Sequence, residues 1–253
     1  MIETAQAFGI DVGGSGIKGA PVNLNEGKFA DERLRIPTPS VSTPEAVADV
    51  IKEILDHFDV QDGTPIGVSF PAPIKPGKPL DYMANLDQSW VGVDIHALIK
   101  ERTGRTVTVV NDADAAGVGE AQYGAAKGRD GLVFLTTLGT GIGTAMIMDG
   151  VLVPNTELGH LTLKGIDAER YASDAARSRE DLSWKKWGKR LTKYYQLLEH
   201  LFSPDIFVVG GGVSKRSEHF FPYIDITTPI VPAALLNDAG IVGAAYYAST
   251  KQH

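Results

Sequence analysis

Two kinds of apolar run alternate along the chain. Short, nearly continuous runs stop at glycine or at acidic and polar residues. They are Phe8 to Val12, Ile66 to Phe70, Val107 to Val110, the run leading to Leu138, and Ile206 to Val209. Runs of this length bounded by turn residues predict buried strands. Between them lie stretches with helical spacing. Val47, Val50, Ile51, Ile54, Leu55 and Phe58 follow Thr43-Pro44-Glu45, a start signal with Thr43 as cap and proline in the first turn. Further helices are expected over 93–99, 113–124, 184–201 and 239–250. Strands are expected over 19–22 and 29–36, forming a three-stranded antiparallel meander with the first. The stretch after Glu169, rich in Arg, Ser and Asp, shows no clear period. The pattern predicts a mixed α/β protein of two lobes with a cleft.

Two of the strands run into glycine turns of the same plan. Asp11-Val12-Gly13-Gly14-Ser15-Gly16-Ile17-Lys18-Gly19-Ala20 is one, and Leu138-Gly139-Thr140-Gly141-Ile142-Gly143-Thr144-Ala145 is the other. Gly14-Ser15-Gly16-Ile17 aligns with Gly139-Thr140-Gly141-Ile142, which predicts two similar halves. Glycine lets a turn fold tightly and bring backbone N–H groups toward an anion, of which phosphate is the natural candidate. Asp11 is placed to hold Mg²⁺ near that phosphate, and Ser15 and Lys18 to donate to its oxygens. A plain hairpin remains the alternative for either turn taken alone. Neither turn has the Walker spacing, and neither completes the dinucleotide fingerprint.

Composition narrows the classes. The 253 residues suit one large domain or two small ones. A net charge of −7 argues against general nucleic-acid binding. The absence of cysteine excludes disulfides, thiolate zinc sites and cysteine nucleophiles. No apolar run approaches the roughly 18 residues of a membrane span. The start of the chain carries acid rather than a basic leader, so the expected location is cytoplasmic.

Three further features carry chemistry. Asp112 follows a buried strand and opens a helix, where N–H groups favour a carboxylate. It is a candidate base, with a plain N-cap role as its alternative and Asp114 as a competitor. Glu157 and His160, three apart, suit the vicinal hydroxyls of a sugar, against the alternative of a ligand-free surface pair. On a helix from Trp184, at about 100° per residue, Lys185, Lys186, Lys189, Arg190 and Lys193 share one arc. Trp184, Trp187, Leu191, Tyr194, Tyr195 and Leu198 share the other. An all-positive arc in an acidic protein, with Arg177 and Arg179 just upstream, points to a polyanion. With the aromatics on the buried side, a chain of phosphates suits it better than nucleic acid, and an ordinary solvated face is the bland alternative.

Taken together, the two glycine turns resemble those of the bacterial repressor, ORF and sugar-kinase (ROK) group. So do Phe70-Pro71-Ala72-Pro73, Asn111-Asp112-Ala113-Asp114-Ala115-Ala116, Glu157-Leu158-Gly159-His160, Leu182-Ser183-Trp184 and Gly210-Gly211-Gly212-Val213-Ser214. More narrowly, the chain looks like the polyphosphate-using glucokinases of that group. The resemblance implies an actin-like ATPase (RNase H-like) fold, with 1–111 plus 237–253 as the small lobe and 112–236 as the large one. It implies a base at Asp112 and substrate contacts at Asn85, Asn111, Asp112, Glu157, His160 and Glu169. It implies phosphate contacts at Asp11, Gly13, Gly14, Ser15, Gly16 and Lys18, at Thr137, Gly139, Thr140 and Gly141, and at Gly211 and Gly212. Many relatives carry a cysteine-rich zinc motif after Glu-x-Gly-His. This chain lacks it, so no zinc is expected, while Glu169 keeps the place of that motif's closing glutamate.

The activity so implied is phosphoryl transfer from inorganic polyphosphate, with ATP as an alternative donor, to the 6-hydroxyl of glucose, with Mg²⁺ as cofactor and mannose as a further acceptor. The resemblance also implies a homodimer. The rival readings are an ATP-only glucokinase and a polyphosphate hydrolase on the same fold. A sugar-responsive repressor needs a DNA-binding segment, and only seven residues precede Phe8.

Overall fold

The computed structural model describes residues 6–81 and 86–251. These form two compact units, one from residues 1–119 with 238–253 and one from 120–237.

The first unit is built on a six-stranded sheet. Strand β1 (Gln6–Gly13) turns directly into antiparallel β2 (Gly16–Asn23). The run expected as one strand over 29–36 is two short strands, β3 (Lys28–Phe29) and β4 (Leu34–Ile36), both paired with β2. Ala30 to Arg33, mostly exposed and polar, interrupt them. Helix α1 (Pro44–His57) starts where Thr43 accepts from the Ala46 amide. Its apolar stripe, from Val47 to Leu55, is buried.

Strand β5 (Ile66–Phe70), buried at every position, pairs parallel with β1. Helix α2 (Ile95–Thr103) begins two residues later than its expected start, because Asp94 caps it through the His96 and Ala97 amides. It ends at Gly104 in the left-handed conformation. Strand β6 (Thr108–Asn111), parallel to β5, passes straight into α3 (Asp112–Tyr123).

The second unit repeats the plan. Strands β7 (Leu132–Leu138) and β8 (Ile142–Met148) form an antiparallel pair around the second glycine turn, extended by β9 (Val151–Val153). A two-residue hairpin, β10 (Thr162–Leu163) and β11 (Ile166–Asp167), turns on Lys164 and Gly165, both with positive φ. The region without a sequence period is two short helices, α4 (Ala168–Ala172) and α5 (Asp174–Arg179).

Helix α6 (Trp184–Phe202) is capped by Ser183 and ends at Ser203, whose φ is +47°. It buries Trp187, Leu191, Tyr194, Tyr195 and Leu198 against Phe134, Phe207 and Phe220. Strand β12 (Ile206–Gly210) runs parallel to β7, and β13 (Ile230–Pro232) parallel to β12.

Helix α7 (Ala239–Ser249) returns to the first unit and packs on β1 and β5. There a side chain on Gly67 would collide with the Ala244 carbonyl, so only glycine allows this backbone contact. The two sheet orders, β3-β2-β1-β5-β6 and β9-β8-β7-β12-β13, are the same topology written twice. No helix among the described residues is long and apolar enough to cross a membrane.

Candidate active site

In the first unit, Gly13 and Gly16 are cross-strand partners, so Gly14 and Ser15 form an exposed two-residue turn. Two side chains outside the motif fasten it. Thr38 donates its hydroxyl to the Gly13 carbonyl at 2.5 Å. Arg35 donates to the Ser15 carbonyl at 2.8 Å and brings a cation to the turn. Sequence reading missed Arg35, because a lone arginine on a short strand carries no motif.

Asp11 and Lys18 face each other across the β1–β2 ladder and form an ion pair at 3.0 Å. Ser69 donates to the other carboxylate oxygen at 3.2 Å. Lys18 is therefore engaged with Asp11 in this structure.

At the start of α3 the helix amides are shared between Asn111 and Asp112. The buried Oδ1 of Asn111 accepts from the Ala113 amide at 2.9 Å and the Asp114 amide at 3.1 Å. Asn111 is the cap; Asp112, exposed at the first helical position, also accepts from the Ala113 amide at 2.8 Å. Asp114 is fully buried and presents nothing to solvent. Asn85 lies outside the described residues.

In the second unit, Leu158 to His160 form a single tight turn that follows Glu157. His160 Nδ1 lies 3.4 Å from Asp167 and 3.9 Å from Glu169. The second oxygen of Glu169 accepts from the Ile142 amide at 3.4 Å, and a side chain on Gly141 would collide with it. The absence of a Cβ at Gly141 thus lets Glu169 sit against the second glycine turn.

Burial pushes the Glu157 carboxyl above its ordinary value; His160 opposes that shift and Glu169 adds to it. Glu157, His160 and Glu169 are one electrostatic group. One ligand atom each from His160, Asp167 and Glu169 lies within 4.8 Å of the others, a spacing open to a divalent ion as well as to vicinal hydroxyls.

The remaining phosphate candidates gather at the ends of β7 and β12. Thr137 pairs with Gly143 on one side and Gly210 on the other. Gly211, at φ +83°, lies against the backbone of Leu138, where any side chain would clash. Gly139, Thr140, Gly141, Gly211 and Gly212 therefore share one end of this sheet.

The cationic arc of α6 differs from expectation in two ways. Lys185, Lys186 and Lys189 are exposed, but Arg190 is committed. It pairs with Glu180 at 2.5 Å and donates to the Tyr171 carbonyl at 3.0 Å. Arg190 braces α6 against α4 and α5 rather than offering a free charge. In its place stands Lys164, from the β10–β11 turn, whose ammonium beside Lys193 holds the Lys193 pKa below the usual lysine value.

Trp184, expected on the buried side, is half-exposed. Arg177 stacks on it at 4.2 Å, and His219 at 5.4 Å.

The structure is that of an α/β protein of the actin-like ATPase fold, with two glycine turns of one plan. Residues 7–178 match the ROK family, and the chain belongs to it. The chain is 45% identical to the polyphosphate glucokinase of Mycobacterium tuberculosis over 239 residues, 94% of this chain and 89% of that one. Its identity to the polyphosphate glucokinase of Mycobacterium leprae is 42% over 241 residues, 95% of this chain and 74% of that one. Among solved structures it matches the inorganic polyphosphate/ATP-glucomannokinase of Arthrobacter sp. strain KM at a TM-score of 0.91 and 49% identity. That match covers 98% of this chain and all of the other. A ROK family glucokinase from Streptomyces griseus matches at a TM-score of 0.79 and 24% identity, a likeness of fold, over 97% of this chain and 99% of that one.

Proposed function

We propose that this chain transfers a phosphoryl group from inorganic polyphosphate, with ATP as a second donor, to the 6-hydroxyl of glucose, giving glucose 6-phosphate. The observation that carries the reading is the near full-length similarity to polyphosphate glucokinases in a chain that keeps Asp112, Glu157, His160 and Glu169. Glu157, His160 and Glu169 hold sugar hydroxyls; Asn85 and Asn111 complete the sugar contacts in this proposal. Mannose, which shares the 6-hydroxyl, is a second acceptor.

Asp112 orients the 6-hydroxyl and accepts its proton as the oxygen bonds to the terminal phosphorus. The bridging P–O bond breaks, and polyphosphate leaves one unit shorter. The glycine turns at Gly13 to Gly16 and Gly139 to Gly141, with Thr137, Gly211 and Gly212, supply backbone and hydroxyl donors to phosphate oxygens. The exposed lysines of α6 hold the rest of the polyanion.

Asp11 suits Mg²⁺ as a hard oxygen donor. Lys18 and Ser69 each take one lone pair of its carboxylate, which leaves capacity for a cation reached through water. When bound, Mg²⁺ offsets donor charge. A homodimer belongs to this proposal, and sedimentation of the purified protein tests it.

The test of the activity is a nucleotide-free incubation with polyphosphate, Mg²⁺ and glucose, followed by ³¹P NMR. Growth of the glucose 6-phosphate signal supports the reading. Release of inorganic phosphate at the same rate with and without glucose supports a hydrolase instead.

A further inference from the structure

We propose that Asp167 is a positioning residue for His160. It holds the imidazole with its proton on Nδ1, so that Nε2 is presented as a hydrogen-bond acceptor. This rests on the reading above that His160 contacts the sugar, and it assigns that contact a direction: a sugar hydroxyl donates to Nε2.

The hairpin before α4 sets the geometry. The two-residue turn at Lys164 and Gly165 fixes the register so that Thr162 faces Asp167. The Ala168 amide then donates to the Leu161 carbonyl at 2.8 Å. That register returns the chain to His160 after seven residues and sets the Asp167 carboxylate 3.4 Å from Nδ1.

Asp167 also occupies the N-cap position of α4, where an aspartate ordinarily accepts from the helix amides. It makes no such bond here; its carboxylate is turned to the imidazole instead. Glu169, also a carboxylate, lies 3.9 Å from Nδ1. Ionised carboxylates only accept, so a neutral His160 meets them with Nδ1–H, and its Nε2 keeps the lone pair. An imidazole free in water prefers the other tautomer, so the preference has to be imposed. Fixing a tautomer through the nitrogen that does not touch the ligand is how outer carboxylates act on histidines elsewhere.

The experiment is long-range ¹H–¹⁵N NMR of the labelled full-length protein at about pH 9, well above the ordinary histidine pKa of about 6.5. His160→Gln assigns the resonances. The expected spectrum shows His160 protonated on Nδ1. Asp167→Ala should move the proton to Nε2 and raise the KM for glucose by about tenfold, with a smaller change in kcat. Asp167→Asn, which keeps an accepting oxygen, should restore both the tautomer and most of the affinity.

An Nε2–H tautomer in the unsubstituted protein, or one unchanged in both Asp167 variants, overturns the proposal. So does zinc that at equimolar concentration displaces the Nδ1 proton, since the cluster is then a metal site. Glucose should shift Nε2 on binding. An Nδ1–H histidine that glucose leaves unmoved overturns the sugar reading and the role given to Nε2, while the Asp167 hydrogen bond stands.

Discussion

Asp112 is the base in the proposal above, and it shares the amides at the start of α3 with Asn111. Asp112→Asn keeps an oxygen for the Ala113 amide, which Asp112 accepts at 2.8 Å, and leaves the Asn111 cap in place. It should lower kcat by about 10³-fold, the usual scale for a lost general base, while calorimetry still finds glucose binding and the thermal midpoint holds. Glu157 has a different signature. Burial raises its pKa above the ordinary 4.5, so the folded state takes up a proton more readily than the unfolded chain. Stability therefore falls as pH rises from the unfolded value through the raised folded value. Glu157→Gln should be more stable than the parent above that window and lose its advantage below it, in urea melts across pH. If Glu157 holds a sugar hydroxyl as proposed, the same variant should also weaken glucose binding at neutral pH. Asp112, Glu157 and His160 stood out as candidates because each sits in a short motif, and Glu169 only through the family resemblance. Arg35, Lys164 and Asp167 were not, because a strand pairing or a hairpin register gives them their partners, and neither leaves a trace in spacing.

Helix α6 shows what a period does and does not reveal. Its buried face was readable from Trp187, Leu191, Tyr194, Tyr195 and Leu198, and all five are buried. Its two neighbouring tyrosines look alike in sequence and differ in the fold. Tyr195 shares a hydrogen bond with Thr136 at 2.8 Å. The Tyr194 hydroxyl is buried with no hydrogen-bond partner among the described residues. Tyr195→Phe should cost about 1 kcal/mol and Tyr194→Phe nothing, or give a gain of about 1 kcal/mol, in matched denaturant titrations.

The charged face was readable only as a set. Arg190 left the set because Glu180 and the Tyr171 carbonyl come from elements that showed no period. The structure thus separates two kinds of cation on one helix. Changing Lys185, Lys186 and Lys189 together to glutamine should raise the KM for long polyphosphate more than for ATP, and flatten its salt dependence. Arg190→Gln should act mainly through stability.

At the scale of the molecule, the same five-strand order appears in each unit. The aligned glycine turns foretold this doubling, since each closes the leading antiparallel pair of its own sheet. The break between β3 and β4 and the helices α4 and α5 were not foretold. Short elements of this kind are held by tertiary contacts rather than by local preference. Ser173 caps α5 and Trp187 donates to the Ala172 carbonyl at 2.9 Å, which pins α4 and α5 to α6 from outside their own sequence. Family membership and the near full-length similarity to polyphosphate glucokinases converge on phosphoryl transfer to a hexose. The donor is the part of that account most directly measured by competition. With glucose saturating and polyphosphate and ATP each limiting in the same vessel, initial rates give the ratio of the two kcat/KM values. Polyphosphate should be used in the absence of any nucleotide and should compete with ATP for the same enzyme. Turnover with ATP alone, unaffected by any length of polyphosphate, would contradict it.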